Sequence, residues 1–456
     1  MIPPMTTQRE WLEQRLLAVR RRYAIPDRPQ REGPWADHPA SRIAVALDTL
    51  DRAVLSADVV SRDVRESFVE ALDGLIREAL HPITGDGAFQ ALVLRRQSEI
   101  VQEYAALLPG VKDDLRTLTT VVNRHAHPEK LARMPAGEAR ASLDRLQRAL
   151  VEQAWERFRA EFLVAIERDY GTSLSADLQA VIDGPALQRL QRFATLSTRD
   201  SVRQYLALQQ GQGPRAGSEH AFAQGVMSKR RGVRVEERAA TVLQEWADRL
   251  NALPFKEHTY RVVTSVYADT QLPGRVEHAK GEWDAMLLSR SDTESSVWNV
   301  MLIVEVKAAV DAASGDLPRL IRGLHVLASA IKTECYTFST AQGPVQISGE
   351  SLSQLPTQMD RLQQQVLYCS DANADEPTRL LSHASRMQLL SLEPSVLYAT
   401  RLSTGDDTNR QYLYDVWDHL LQPTSGQVLR QQYQWMFGAR GLMVHIDDLR
   451  AAAASD

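Results

Sequence analysis

The run Val300-Met301-Leu302-Ile303-Val304 ends abruptly in Glu305-Val306-Lys307. Five consecutive apolar residues suit a strand covered on both faces, because a strand with one wet face alternates polar and apolar residues. Two charges at the end of such a strand are costly unless they have partners. Side chains alternate along a strand, so Glu305 and Lys307 project to the same side. A second strand pattern, Glu282–Ser289, precedes this one, and the polar stretch Arg290–Val297 can close a hairpin between them. That hairpin brings Asp284 beside Glu305. Two carboxylates so placed repel each other, and a divalent cation relieves the repulsion. Lys307, next to them, is suited to orient a water or to offset charge on a phosphate.

The surroundings divide the chain by pattern. Apolar residues recur at three and four over 8–24, 40–57, 66–80, 90–107, 111–124, 137–168 and 185–209, which predicts long helices joined by short polar breaks. No fixed repeat period emerges. Residues 209–220 lack apolar periodicity and hold Gly211, Gly213, Pro214 and Gly217, a linker composition. The expected organisation is an all-helical sensor or interaction domain over 1–208, a linker at 209–220, and an α/β domain with helical additions over 221–456. The α/β part is expected to contain a helix at 232–252 and strands at Thr259–Tyr267, Glu282–Ser289 and Trp298–Ala308. A helix at 316–332 follows, with Asp316 as its cap and Pro318 in its first turn. Beyond it are expected a hairpin (335–340 with 344–349), a helix at 354–369, a strand at 395–400, and helices near 408–421 and 425–437. The tail 451–456 is expected to fray.

Asp284 followed by Glu305-Val306-Lys307 resembles the PD-(D/E)xK, or restriction-endonuclease-like, nuclease superfamily. Gly281-Glu282-Trp283-Asp284 is similar to the Gly-Glu-hydrophobic-Asp wording of archaeal-type Holliday-junction resolvases, with Trp283 where the motif's proline would stand. The superfamily's αβββαβ order matches the expected elements through the fifth, over about residues 230–335. The resemblance implies a fold class of an N-terminal all-helical domain followed by a restriction-endonuclease-like domain with a central mixed sheet. It implies that Asp284 and Glu305 bind magnesium, with manganese able to substitute and the main-chain carbonyl of Val306 contributing, while Lys307 assists the attacking water. A further acid on the first core helix would be Glu236 or Glu237, and helical phase favours Glu236, one turn from Ala240 and two from Leu243. The implied activity is a magnesium-dependent endonuclease hydrolysing phosphodiester bonds of DNA rather than RNA, in a bacterial restriction or anti-phage setting. The alternative that stays open is a non-enzymatic helical interaction or scaffold protein carrying an inactive domain of this fold.

Other features carry less. Lys229, Arg230, Arg231 and Arg234 form the densest basic patch, either a contact to the phosphate backbone or a solvated linker end. His125 and His127 sit at an expected helix end before Pro128, no cysteine or carboxylate group completes them as a ligand set, and they read as structural. His325 falls on the helix after the Lys307 strand. No Walker or Rossmann fingerprint occurs. The formal net charge of −5 excludes a uniformly basic nucleic-acid coat, so a polyanion must be held locally or through metal ions. Two cysteines, Cys335 and Cys369, make no disulfide framework and fit a reducing compartment. No apolar run reaches about 18 residues, so no membrane partner is expected. The opening residues run into Arg9 and Glu10 without an apolar core, and a cytoplasmic location is expected. Partner binding or self-association is assigned to the helical half.

Overall fold

The computed structural model describes residues 7–29, 37–167, 184–210, 219–254, 257–274, 279–291, 296–374, 380–406, 409–424 and 426–454. They group into two units: residues 1–75, 215–392 and 410–456 form one, and residues 76–214 and 393–409 the other. The expected division at 209–220 therefore marks one crossing between units but misplaces the N-terminal segment, and residues 211–218 of that linker lie outside the described ones. The physical reason is in helix Gln8–Ala18, whose Trp11, Leu12 and Leu16 share an apolar cluster with the sheet and with Trp246. The Trp11 and Trp246 rings meet edge-on at 5.6 Å.

The first unit is built around a seven-stranded mixed sheet. Strands β1 (His258–Tyr267), β2 (Glu282–Ser291) and β3 (Val297–Val306) form an antiparallel meander, as the apolar runs predict. The chain then forms helix Val310–Ala328, the short hairpin β4 (Cys335–Phe338) and β5 (Val345–Ser348), and strand β6 (Val366–Ser370). Strand β6 lies parallel to the end of β3, pairing Glu305 with Tyr368, and β7 (Met443–His445) lies parallel to β6. The β5 strand joins the beginning of β3. So β3 is central, with β2 on one side and β5 and β6 on the other.

Both faces of the sheet are covered, which is what the Val300–Val304 run demands. Leu302 and Val304 pack with Val242, Leu243 and Trp246 of the long helix Glu219–Ala252 and with Leu449 of helix Ile446–Ala454. Val300 and Ile303 pack on the other face with Leu317, Leu320 and Leu324 of helix Val310–Ala328 and with Leu442 of helix Gln432–Leu442.

Several expected elements change. Helix Val310–Ala328 starts six residues before Asp316, so Asp316 is not its cap and Pro318 lies inside it. The expected helix over 354–369 is instead a short 3₁₀ turn, Leu362–Gln364, leading into β6, all five of whose residues are buried. A short apolar run such as Val366-Leu367-Tyr368-Cys369 carries no period that separates a central strand from a buried helix. The expected strand 395–400 is helix Glu393–Thr404, where Ser395, Val396, Tyr398 and Ala399 are buried at helical spacing. The tail does not fray at once: Ala452 and Ala453 are buried in helix Ile446–Ala454.

The second unit is helical. One cluster gathers Leu118, Val122, Leu146, Phe158, Phe162 and Leu190, and another Val101, Tyr104, Leu196, Val202 and Tyr205. The long segments expected here are broken where polar caps intervene, as at Ser98, whose hydroxyl accepts the Val101 N–H and starts helix Glu99–Leu107. His127 likewise caps helix Pro128–Arg133 through Nδ1, a structural role. Among the described residues no helix is long and apolar enough to cross a membrane.

Candidate active site

The register Ala285↔Val304 sets Asp284, one rung further out, across from Glu305. Asp284 reaches over its neighbour: its Oδ2 accepts the Val306 N–H at 2.7 Å. Alternation places Glu305 and Lys307 on the sheet face covered by helix Val310–Ala328, the face of Ile303, while Asp284 stands at the strand end between Trp283 of that face's cluster and Ala285 of the other.

Glu305 has no exposed surface. Its Oε2 faces two cations, Lys280 Nζ at 2.6 Å and Lys307 Nζ at 3.4 Å. Its Oε1 is buried without a hydrogen-bond partner. Burial first, and then the negative charge of Asp284, push the Glu305 carboxyl up to about 8, against the pull of the two lysines. Desolvation and the nearby second carboxylate both penalise the ionised form.

Lys307 is held from both sides. Its ammonium lies 3.2 Å from Asp316 Oδ2 on helix Val310–Ala328 and 5.8 Å above the centre of the Tyr368 ring. The Tyr368 hydroxyl donates to the same Asp316 oxygen at 3.1 Å. Burial pulls the Lys307 ammonium down, but Glu305, Asp316 and Asp284 together overcome this and hold its pKa above the ordinary value. Lys307 is therefore a cation at neutral pH, able to donate hydrogen bonds and unable to take a proton. The Tyr368 phenol is raised by burial, then by Asp316 and Glu305, and stays neutral.

Glu236 sits on helix Glu219–Ala252 with its side chain accessible. Partial desolvation and then the charges of Asp284 and Glu282 hold its carboxyl above the usual range, while Lys307 pulls it down. It belongs to the same electrostatic cluster. Val306 enters the site through its N–H, donated to Asp284. The basic patch lies on that long helix and not on a linker end. Arg231 is exposed, 4.0 Å from Asp371, and Arg234 is exposed; the side chains of Lys229 and Arg230 lie outside the described residues. His325 is exposed on helix Val310–Ala328.

Three residues of the cluster were not read from the sequence as site residues: Lys280, Asp316 and Tyr368. Lys280 stands directly before the Gly281-Glu282-Trp283-Asp284 stretch, and its adjacency was the available signal. Asp316 leaves no signal because the helix begins six residues before it, at Val310, and Tyr368 none because a short apolar run does not separate a buried strand from a buried helix.

Among the described residues, no three of histidine, cysteine, aspartate and glutamate gather closely enough to hold a cation by themselves. What favours a cation is narrower: two facing carboxylates, one of them with a buried oxygen lacking any partner. A divalent cation held there would relieve both the facing charges and the unpartnered oxygen. No protein-family model, curated protein or solved structure matches this chain.

Proposed function

We propose that the sheet unit is a magnesium-dependent endonuclease domain of the restriction-endonuclease-like type, hydrolysing phosphodiester bonds of DNA. The observation that carries this reading is the convergence of Asp284, Glu305 and Lys307 at the end of β3, with Glu305 Oε1 buried and unpartnered. The order helix Glu219–Ala252, three antiparallel strands, helix Val310–Ala328 and a strand parallel to β3 supports the αβββαβ assignment, with the β4–β5 hairpin as an insertion.

In this reading Asp284 and Glu305 would hold the magnesium ion, with Glu236 and the Val306 carbonyl as further oxygens. When bound, the ion supplies Lewis-acid activation of water and neutralises charge on the phosphate. The chain's own residues do the rest. The Lys307 ammonium, kept charged by Glu305 and Asp316, orients the attacking water and offsets charge developing on the phosphate. Asp316 and Tyr368 fix where that ammonium points. Arg231 and Arg234, exposed on the long helix, meet the phosphate backbone. The helical unit binds a partner or a second copy, and a restriction or anti-phage setting fits such an arrangement.

A second reading has one observation in its favour. Lys280 already occupies one oxygen of Glu305 as a cation would, which suits a catalytically silent domain in an interaction protein. The two readings separate in a nicking assay on supercoiled DNA with magnesium or manganese. The nuclease reading expects cleavage that chelator abolishes and that Lys307→Met or Glu305→Gln removes without loss of fold. Undiminished cleavage by those variants, or none by the wild type under any divalent ion, contradicts it.

A further inference from the structure

Lys280 is unlike the other cations around the site. It is 8% exposed and makes the shorter of the two ion pairs to a fully buried glutamate. Its backbone is also pinned. A Cβ built on Gly323 of helix Val310–Ala328 would stand 2.8 Å from Lys280 Cβ, 2.9 Å from Lys280 O and 3.0 Å from the Trp283 ring. Only a residue without a side chain lets the helix approach this segment, so Gly323 sets where the Lys280 stem begins. From there the ammonium reaches Glu305 Oε2 and lies 6.0 Å from the centre of the Trp283 ring.

The consequence falls on Glu305. A carboxylate with both oxygens equivalent can rotate. One whose Oε2 is clamped at 2.6 Å has a single orientation, and in that orientation Oε1 is the oxygen without a partner. Groups that hydrogen-bond a ligating carboxylate from behind fix its direction and are worth about 10- to 100-fold in metal affinity. We infer that Lys280 is a positioning residue: it clamps Glu305 Oε2 from the side of Gly323 and so presents Oε1 to the divalent cation. It acts through Glu305 and touches neither substrate nor the reacting atoms. The inference rests on the metal-site reading above and adds to it a residue and a helix glycine outside the Asp284–Glu305–Lys307 pattern.

Manganese binding to the full chain, measured by calorimetry or by the electron paramagnetic resonance of free ion, tests this without any turnover. Lys280→Met keeps the stem and deletes the charge, and it should weaken manganese binding about 10- to 100-fold. Lys280→Arg, which keeps the charge, should recover most of the loss. Gly323→Ala should weaken binding in the same direction without touching Lys280's own chemistry. Circular dichroism melts confirm that each variant is folded, and the arginine variant keeps the test valid if the methionine one is not. Manganese affinity that is unchanged or tightened in Lys280→Met overturns the inference alone, since Lys280 would then be a bystander or a competitor. A wild type that binds no manganese overturns both it and the nuclease reading.

Discussion

Asp284 Oδ2 accepts the backbone N–H of Val306 at 2.7 Å, which ties the acid of β2 to the strand that carries Glu305 and Lys307. The bond gives Asp284 two roles, a structural acceptor and a negative charge, and two substitutions separate them. Asp284→Asn keeps an acceptor oxygen and removes the charge; it should melt with the wild type and lose DNA cleavage. Asp284→Ala also leaves the Val306 N–H without its acceptor and should cost a further amount, about 1–3 kcal/mol. Chemical denaturation beside the cleavage assay reads both. Equal destabilisation by the two variants would contradict the division of roles.

The pH dependence of stability follows from Glu305. Its carboxyl is raised in the folded state to about 8, so between the ordinary glutamate range and about pH 8 the folded state binds a proton that the unfolded state has lost. Stability from this group is present at low pH, falls as pH rises through that window and levels off above it. Glu305→Gln should remove this slope, and the difference between wild-type and variant melting curves from pH 5 to about 9 is the measurement. Parallel curves would mean that Glu305 is ionised throughout.

Much of this arrangement was legible in the sequence and some was not. The apolar run 300–304 announced a central strand, and alternation placed Glu305 and Lys307 on one side of it. The hairpin placed Asp284 opposite. These are local patterns with a strong period. Lys280, Asp316 and Tyr368 come to the site through long-range packing: a helix that starts at Val310, and a parallel strand reached after an intervening hairpin. Neither leaves a periodic trace. The N-terminal helix was legible as a helix but not as part of the sheet unit, because its partner Trp246 lies far along the chain.

That helix makes a strong prediction. Gln8 is fully buried; its amide donates to the carbonyls of Leu250 and His258 at 2.7 and 3.1 Å and accepts the N–H groups of Glu257 and His258 at 3.0 and 2.7 Å. Gln8→Ala should lower stability by about 1–3 kcal/mol or more, since several buried backbone groups lose their partner. A fragment of residues 218–456 should aggregate, because it bares the Trp246 face that Trp11, Leu12 and Leu16 cover. A monodisperse, fully folded fragment in size-exclusion chromatography would show that the helix is dispensable.

The thiols report on β6. Cys369 is completely buried in the sheet, and burial pushes its thiol up to about 12, whereas Cys335 is exposed. A chromogenic disulfide reagent should modify Cys335 alone in the native protein and both after denaturation. Rapid native modification of Cys369 would contradict a central β6 beside β3.

Crystals soaked in manganese and measured at its absorption edge test the central claim most directly. An anomalous peak is expected between the carboxylates of Asp284 and Glu305, on the Oε1 side of Glu305 and with Lys280 still on Oε2. No peak there in crystals that diffract well, or a peak elsewhere in the unit with these two carboxylates bare, would contradict it.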